Sequence, residues 1–383
     1  MMLILLASCQ KKETQEERSR ETASTGLTAT EAAAARTRLL EEWRTAQQER
    51  LHGNMVARAI EQDGLRMKYS YKRFGEKPQG GWALWISLHG GGGTTHEANE
   101  QQWRNQQTLY KPKDCYYVCP RAPWDEWDMW FKAPIDSLFE ELIQTMVAEY
   151  DVDPDKVYVM GYSAGGDGVW RLAPRLADHW ASAAMMAGHP GDVQLANVRN
   201  MPFTLWVGEH DDAYNRNGEV AARGRELDSL QQLDPEGYVH DCHVVAGKGH
   251  WMDQEDTAAV GWMEQYRRNP YPKRIVWRQE EVTRATFYWL RVPREEMAKG
   301  QRVAATIRGN VIEIEECDYS RLTLMLNDEL VDLDQPVTIE YKGRVLLEKR
   351  LQRSEETMRR TLYERNDPRY IFDSEVTVEV AAK

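Results

Sequence analysis

The chain has 383 residues, of which 42% are hydrophobic and 29% charged. That composition fits one large or two ordinary globular domains and excludes disordered and collagen-like classes. With 49 Lys+Arg against 61 Asp+Glu the net charge is −12, and without a long basic run this excludes a nucleic-acid-binding footprint. Trp (14) and Tyr (17) far outnumber Phe (6), a bias toward aromatics with a polar edge, which suit wet clefts.

The N-terminus comes first. Met1 to Ala7 is almost wholly apolar, Ser8 and Cys9 follow, and the chain then turns polar at Gln10, Lys11, Lys12 and Glu13. Leu6-Ala7-Ser8-Cys9 resembles a bacterial lipobox, in which a signal peptide is cut before a Cys that becomes lipidated. The resemblance implies a signal peptide over 1–9, a lipid anchor on Cys9 and residence in a bacterial cell envelope. It departs from the usual pattern in having no basic residue before the apolar run. No apolar stretch reaches the ~18 residues that span a bilayer, so membrane attachment is expected only through this anchor, with multiple acyl chains on one residue holding it stably. The other cysteines, Cys115, Cys119, Cys242 and Cys317, are expected to be buried free thiols. Cys115 and Cys119 lie on one strand, about 13 Å apart, too far to bridge each other, and no Cys/His pair accompanies them to make a zinc site.

Residues 10–27 read as a polar tether. From Thr30 a helical spacing of Leu39, Leu40, Trp43, Leu51, Met55, Val56 and Ile60 predicts a helical lead-in over 28–64, stopped near Gly64. Strands are then predicted at Trp82 to Leu88, Tyr116 to Cys119, Val157 to Met160, Ala183 to Ala187, Phe203 to Val207 and His243 to Val245, the last three as further buried strands. Helices are expected at Leu138 to Val147, before the Asp153-Pro154 break, and at Val169 to Leu176. This β-α alternation over 65–270 predicts an α/β fold, a mostly parallel sheet with helices on both faces. After Pro270 the pattern changes. Strands are predicted at Arg274 to Val276, Ala285 to Val292, Val303 to Ile307, Val311 to Ile314, Leu322 to Leu326, Val337 to Tyr341 and Val376 to Val380, with a helix within Leu346 to Tyr363. Residues 271–383 are therefore expected to form a mainly β accessory domain.

The chemistry is carried by four short segments. Gly161-Tyr162-Ser163-Ala164-Gly165 lies between a predicted strand and a predicted helix, the setting of a nucleophile elbow. There the turn lifts the Ser163 hydroxyl above the sheet and leaves the Ala164 N–H free at a helix N-terminus to meet an oxyanion. His89-Gly90-Gly91-Gly92-Gly93 follows an earlier strand and supplies the second oxyanion donor, Gly91 ahead of Gly92, with His89 bracing the loop. No Lys follows these glycines, which argues against a phosphate loop. The strand at Phe203 runs into Gly208-Glu209-His210-Asp211-Asp212, where Asp211 is preferred over Asp212 and Glu209 as the acid. The strand ending at Val245 runs into Gly247-Lys248-Gly249-His250-Trp251, which places His250 as base in the chain order Ser, acid, His. Trp124, Trp127 and Trp130, in a loop that follows a strand, read as an aromatic wall suited to a phenolic acid or a sugar, or equally as loop packing. Tyr162, within the elbow, is a further substrate-contact candidate. Residues Tyr214 to Asn217 could line the same cleft or brace the turn of the acid, and bracing is preferred.

These four segments resemble the α/β-hydrolase superfamily, in particular its secreted esterase branch of poly(3-hydroxybutyrate) depolymerase-like, feruloyl-esterase-like and dienelactone-hydrolase-like proteins. The resemblance covers roughly Leu65 to Asn269 and departs from the depolymerase pattern at Gly91. It implies a Ser163–His250–Asp211 triad, an acyl-enzyme intermediate, no metal or other cofactor, and a small-molecule or polymer-linked ester as substrate, with aryl or carbohydrate-linked acyl esters in view. A serine peptidase of the prolyl-oligopeptidase kind would use the same apparatus, but propeller repeats of ~40–50 residues are not seen. A non-catalytic surface binding protein on a hydrolase scaffold would have no chemical reason to keep Ser, His, acid and oxyanion glycines together.

Overall fold

A computed structural model of the protein describes residues 26–380, so Cys9 and most of the expected tether lie outside the described residues. Helix α1 (Ala29–Ala57) starts at a capping box in which the Thr28 side chain accepts the Glu31 N–H and Glu31 accepts the Thr28 N–H, satisfying two otherwise orphaned donors. Its buried stripe runs Ala32, Ala35, Leu39, Trp43, Gln47 and Leu51. The helix stops short of the expected Gly64. Arg58 adopts the left-handed conformation and ends it, and Ile60 belongs to strand β1 (Ala59–Gln62), which pairs with β2 (Leu65–Phe74) across the Gly64 turn. β-branched Ile60 fits helical spacing and strand burial alike, so periodicity alone could not separate them.

An eight-stranded sheet follows, in the order β1-β2-β4-β3-β5-β6-β7-β8. Its other members are β3 (Trp82–Leu88), β4 (Cys115–Pro120), β5 (Val152–Tyr162), β6 (Ser182–Met186), β7 (Phe203–Gly208) and β8 (His240–Val245). β3 to β8 are parallel, and β1 and β2 are antiparallel additions at one edge. Crossover helices α2 (His96–Leu109), α3 (Pro134–Tyr150), α4 (Ala164–Arg175) and α5 (Arg216–Leu233) connect the strands, which is why β3, the Val157–Met160 half of β5, β6 and β7 can be largely apolar. β8 departs from expectation. As the edge strand it is only half-buried, because nothing pairs on its outer side. The connections leave neighbouring strands β3 and β5 in opposite directions, to β4 and to β6, the place where open α/β sheets form a ligand crevice at their C-terminal ends.

After the short helix α6 (Ala258–Met263), the region beyond Pro270 holds a five-stranded sheet, with β9 (Arg274–Arg278), β12 (Arg302–Arg308), β13 (Val311–Cys317) and β15 (Pro336–Tyr341), and a four-stranded sheet, with β14 (Arg321–Leu326) and β17 (Ser374–Glu379). The strand expected over Ala285 to Val292 is instead a tight hairpin, β10 (Thr286–Phe287) and β11 (Leu290–Arg291), turning at Tyr288 and Trp289. Both turn residues are fully buried. Tyr288 takes the left-handed conformation, and the Trp289 indole donates to the Pro272 carbonyl at 2.7 Å. The stretch from Leu346 also divides, into strand β16 (Arg344–Arg350) and helix α7 (Glu355–Arg365).

These sheets share one continuous apolar core with α1 and the eight-stranded sheet. A buried polar network crosses the same junction. Arg365 pairs with Asp178, the Tyr370 hydroxyl donates to the Asp178 carbonyl at 2.7 Å, and Arg268 joins Asp155 and Asp367. Burial alone would push the Asp178 carboxyl up, but Arg365 and His179 hold it well below the usual range. The four cysteines among the described residues are free thiols; burial pushes Cys242 and Cys317 each up to about 11.

Candidate active site

Ser163 sits between the end of β5 and the start of α4 with φ 58° and ψ −121°, a conformation that a non-glycine residue holds only when its surroundings over-determine it. The surroundings here are backbone. The Ser163 N–H donates to the Met186 carbonyl on β6 at 2.9 Å. A Cβ on Gly165 would stand 2.2 Å from the Leu88 carbonyl oxygen, and one on Gly161 would stand 2.3 Å from that of Gly165. The glycines are thus fixed by helix α4 pressing onto β3 and β5, and that pressure projects the serine.

Register then brings the other segments to the same edge. Leu88 pairs with Gly161 and Gly208 with Val245, so the loops after β3, β7 and β8 emerge beside the elbow. His250 Nε2 lies 2.9 Å from Ser163 Oγ, and His250 Nδ1 lies 2.8 Å from Asp211 Oδ2. Asp211 is 2% exposed, whereas Asp212 faces solvent. Arg216 Nη1 approaches the other Asp211 oxygen at 3.4 Å, and the Asn217 N–H donates to the Asp211 carbonyl at 3.0 Å. Glu209, weighed as an acid, does something else: its Oε2 accepts the Gly247 N–H at 2.8 Å and holds the His250 loop. A hydroxyl, an imidazole and a buried carboxylate in this order can activate the hydroxyl as a nucleophile.

The glycine loop is held by a residue the sequence did not flag. Asn99, fully buried on α2, accepts the Gly92 N–H through Oδ1 at 2.9 Å and donates through Nδ2 to the Gly92 carbonyl at 3.0 Å. This occupies the Gly92 N–H. Gly91 has φ +104° and, with Ala164 and Ser163, lines the cleft. His89 is the brace expected of it. Its Nδ1 lies 2.7 Å from the Gly90 carbonyl, and its Nε2 accepts the Ala122 N–H at 3.2 Å. Burial pushes the ring down to about 4, outweighing the Gly90 carbonyl that would raise it, so the ring stays neutral.

The cleft over Ser163 has a volume of about 540 Å³. Of the three tryptophans, only Trp127 lines it, and Trp127 is 69% exposed. Trp130 is corrected to a structural role: it is 0% exposed, its indole donates to the His89 carbonyl at 2.9 Å, and its ring packs edge-on against His89. Trp124 lies under Lys132 and outside the cleft lining. Tyr162 is also corrected. It is buried, its hydroxyl donates to the His250 carbonyl at 2.6 Å and accepts the Met252 N–H at 3.1 Å. It holds the His250 loop and is not part of the cleft lining. Tyr214 and Arg216, for which bracing is the preferred expectation, line the cleft, as do Phe131, Asp167, Arg171 and His189. Asp167 and Arg171 sit one and two helical turns beyond Ser163 on α4, a spacing that could have flagged them.

A family model described as "Putative esterase" matches residues 96–235, a stretch that begins with α2 and contains Ser163 and Asp211 but ends before His250. Among solved structures, the chain is similar to a thermostable esterase at 17% identity over 55% of this chain and 62% of that one, with a TM-score of 0.44. It therefore spans less than two thirds of that esterase's length. A poly(3-hydroxybutyrate) depolymerase from Bordetella parapertussis matches at 14% identity over 54% and 87%, TM-score 0.40. A ferulic acid esterase matches at 15% over 54% and 94%, TM-score 0.37. No curated protein matches the chain. The fold is that of the α/β hydrolases, with extra β-sheets at the C-terminal end, and within it residues 96–235 are similar to the esterase family.

Proposed function

We propose that the protein is a serine hydrolase of carboxylic esters. The observation that carries this reading is the chain of contacts from Ser163 Oγ to His250 Nε2 at 2.9 Å and from His250 Nδ1 to Asp211 at 2.8 Å, at the wall of an open cleft. The esterase match over 96–235 supports it. Ser163 attacks the ester carbonyl as His250 takes its proton, and Asp211 keeps the imidazole in the right tautomer and stabilises its charged form. The N–H groups of Gly91 and Ala164 receive the developing oxyanion. The tetrahedral intermediate expels the alcohol, protonated by His250, and leaves an acyl-enzyme. Water, deprotonated by His250, then releases the acid and restores Ser163.

A fluorophosphonate probe is expected to label the wild type and not Ser163→Ala; equal labelling of both would remove Ser163 from its role. p-Nitrophenyl acetate and methyl ferulate, compared with a peptide anilide, separate ester from amide chemistry. Turnover of the anilide alone would favour the peptidase reading.

The same proposal places the enzyme in a bacterial cell envelope, anchored through Cys9. Cys9→Ala is expected to move the protein from the membrane to the soluble fraction; retention in the membrane would remove the anchor.

A further inference from the structure

The cleft is lined by arginines that ester hydrolysis does not use. Two guanidinium groups line it, those of Arg171 and Arg216, against the single carboxyl of Asp167. Arg171 lies over the Phe131 ring, 5.4 Å from its centroid, and spends one nitrogen on Asp192 at 2.6 Å. Asp192 is itself shared with Lys299, which also pairs with Glu281. Arg216 stacks over Tyr214 at 5.0 Å. Its polar contacts are thin: two long ones at 3.4 Å, both from Nη1, to Asp211 Oδ1 and the Ala213 carbonyl, while its Nε is buried without a partner. A mostly buried guanidinium with its fork this poorly filled is costly unless a ligand supplies acceptors.

Asp167 Oδ1 accepts the His189 N–H at 2.6 Å, and burial raises its carboxyl above the ordinary range, against the His189 N–H and Arg216, which lower it. His189 offers a donor. Its Nδ1 accepts the Gly191 N–H at 3.1 Å, so the neutral ring carries its proton on Nε2 as a donor.

We propose that this cleft selects esters bearing a free carboxylate, which Arg171 and Arg216 receive while Ser163 attacks the ester carbonyl. This inference rests on the ester-hydrolase reading. A planar carboxylate matches the guanidinium fork. A phosphate dianion suits the site less well, because Asp192 and Asp211 already offset part of the arginine charge and Asp167 shares the cleft.

The test compares kcat/KM for monomethyl succinate, glutarate and adipate with the corresponding dimethyl esters, followed by pH-stat. At the best chain length the monoester is expected to be favoured by about tenfold or more, the scale of one charge-assisted hydrogen bond. In Arg171→Gln and in Arg216→Lys that ratio is expected to fall toward one, mainly through KM. Because the ratio is taken within each variant, a general loss of active enzyme cancels. The proposal is overturned if no monoester is preferred, or if the preference survives in both variants. It is also overturned by a protein that is labelled at Ser163 yet turns over neither series. Failure of the ester-hydrolase reading is distinct: neither series is cleaved and the fluorophosphonate probe does not label Ser163.

Discussion

The Tyr162 hydroxyl donates to the His250 backbone carbonyl at 2.6 Å, joining the residue before the nucleophile to the residue proposed as its base. The same oxygen accepts the Met252 N–H, so one side chain spans the His250 loop on both sides. The loop is also drawn against β7, where a Cβ on Gly208 would stand 2.1 Å from the Gly249 carbonyl. Tyr162→Phe keeps the ring and removes both hydrogen bonds. We expect kcat on p-nitrophenyl acetate to fall about five- to tenfold with KM little changed, and stability to fall by about 1 kcal/mol. An unchanged kcat would show that the loop is held by its other contacts alone.

Asn99 is expected to act on the same chemistry from the other side. Asn99→Ala removes both bonds to Gly92, freeing its N–H to compete with that of Gly91 and loosening the loop. A displaced oxyanion donor costs about 10²–10³ in rate when lost outright, so a drop of about ten- to hundredfold in kcat is expected for partial displacement. Steady-state kinetics with a folded-state check by circular dichroism measures it. A change confined to KM would place Asn99 in substrate binding instead.

His89 gives a pH prediction. Its folded-state value, pushed down to about 4, lies below the ~6.5 of an unfolded histidine. Between those values the unfolded chain binds the extra proton and the folded chain does not, so stability falls as pH drops from about 6.5 to about 4 and this loss levels off below. The contribution is about 3 kcal/mol across that window. His89→Asn, less stable at neutral pH, is expected to show a flatter dependence of Tm on pH there. Parallel slopes for the two proteins would count against a neutral buried ring.

Arg365 tests whether the C-terminal sheets and the hydrolase sheet form one cooperative structure. Its guanidinium is buried, pairs with Asp178 and lies 4.2 Å from the Tyr370 ring centroid. Arg365→Leu leaves the Asp178 carboxylate with less compensation, and a loss of about 3–5 kcal/mol is expected. Urea denaturation followed by both tryptophan fluorescence and ester hydrolysis is expected to give one shared, shifted transition. Two separate transitions would mean that the parts unfold independently.

Much of the candidate site was legible in the sequence because the elbow is local. A strand, a glycine-flanked serine and a helix lie within one continuous segment, and chain order assigns the acid and base to loops after later strands. The parallel sheet was legible for the same reason, since β3, Val157–Met160 of β5, β6 and β7 are short, mostly apolar runs. Other properties depend on neighbours remote in sequence. Three tryptophans spaced by three look alike, yet only packing against His89 buries Trp130 while Trp127 reaches the cleft. Tyr162, Asn99 and Glu209 acquire their roles from partners 90, 7 and 38 residues away. The Tyr288–Trp289 turn carries no turn chemistry and is held by the apolar core around it. Sequence determined which chemical groups are present and which short turns present them. Tertiary structure decided which of those groups face the cleft, because burial and hydrogen-bond partnership arise only when distant strands are brought to one edge.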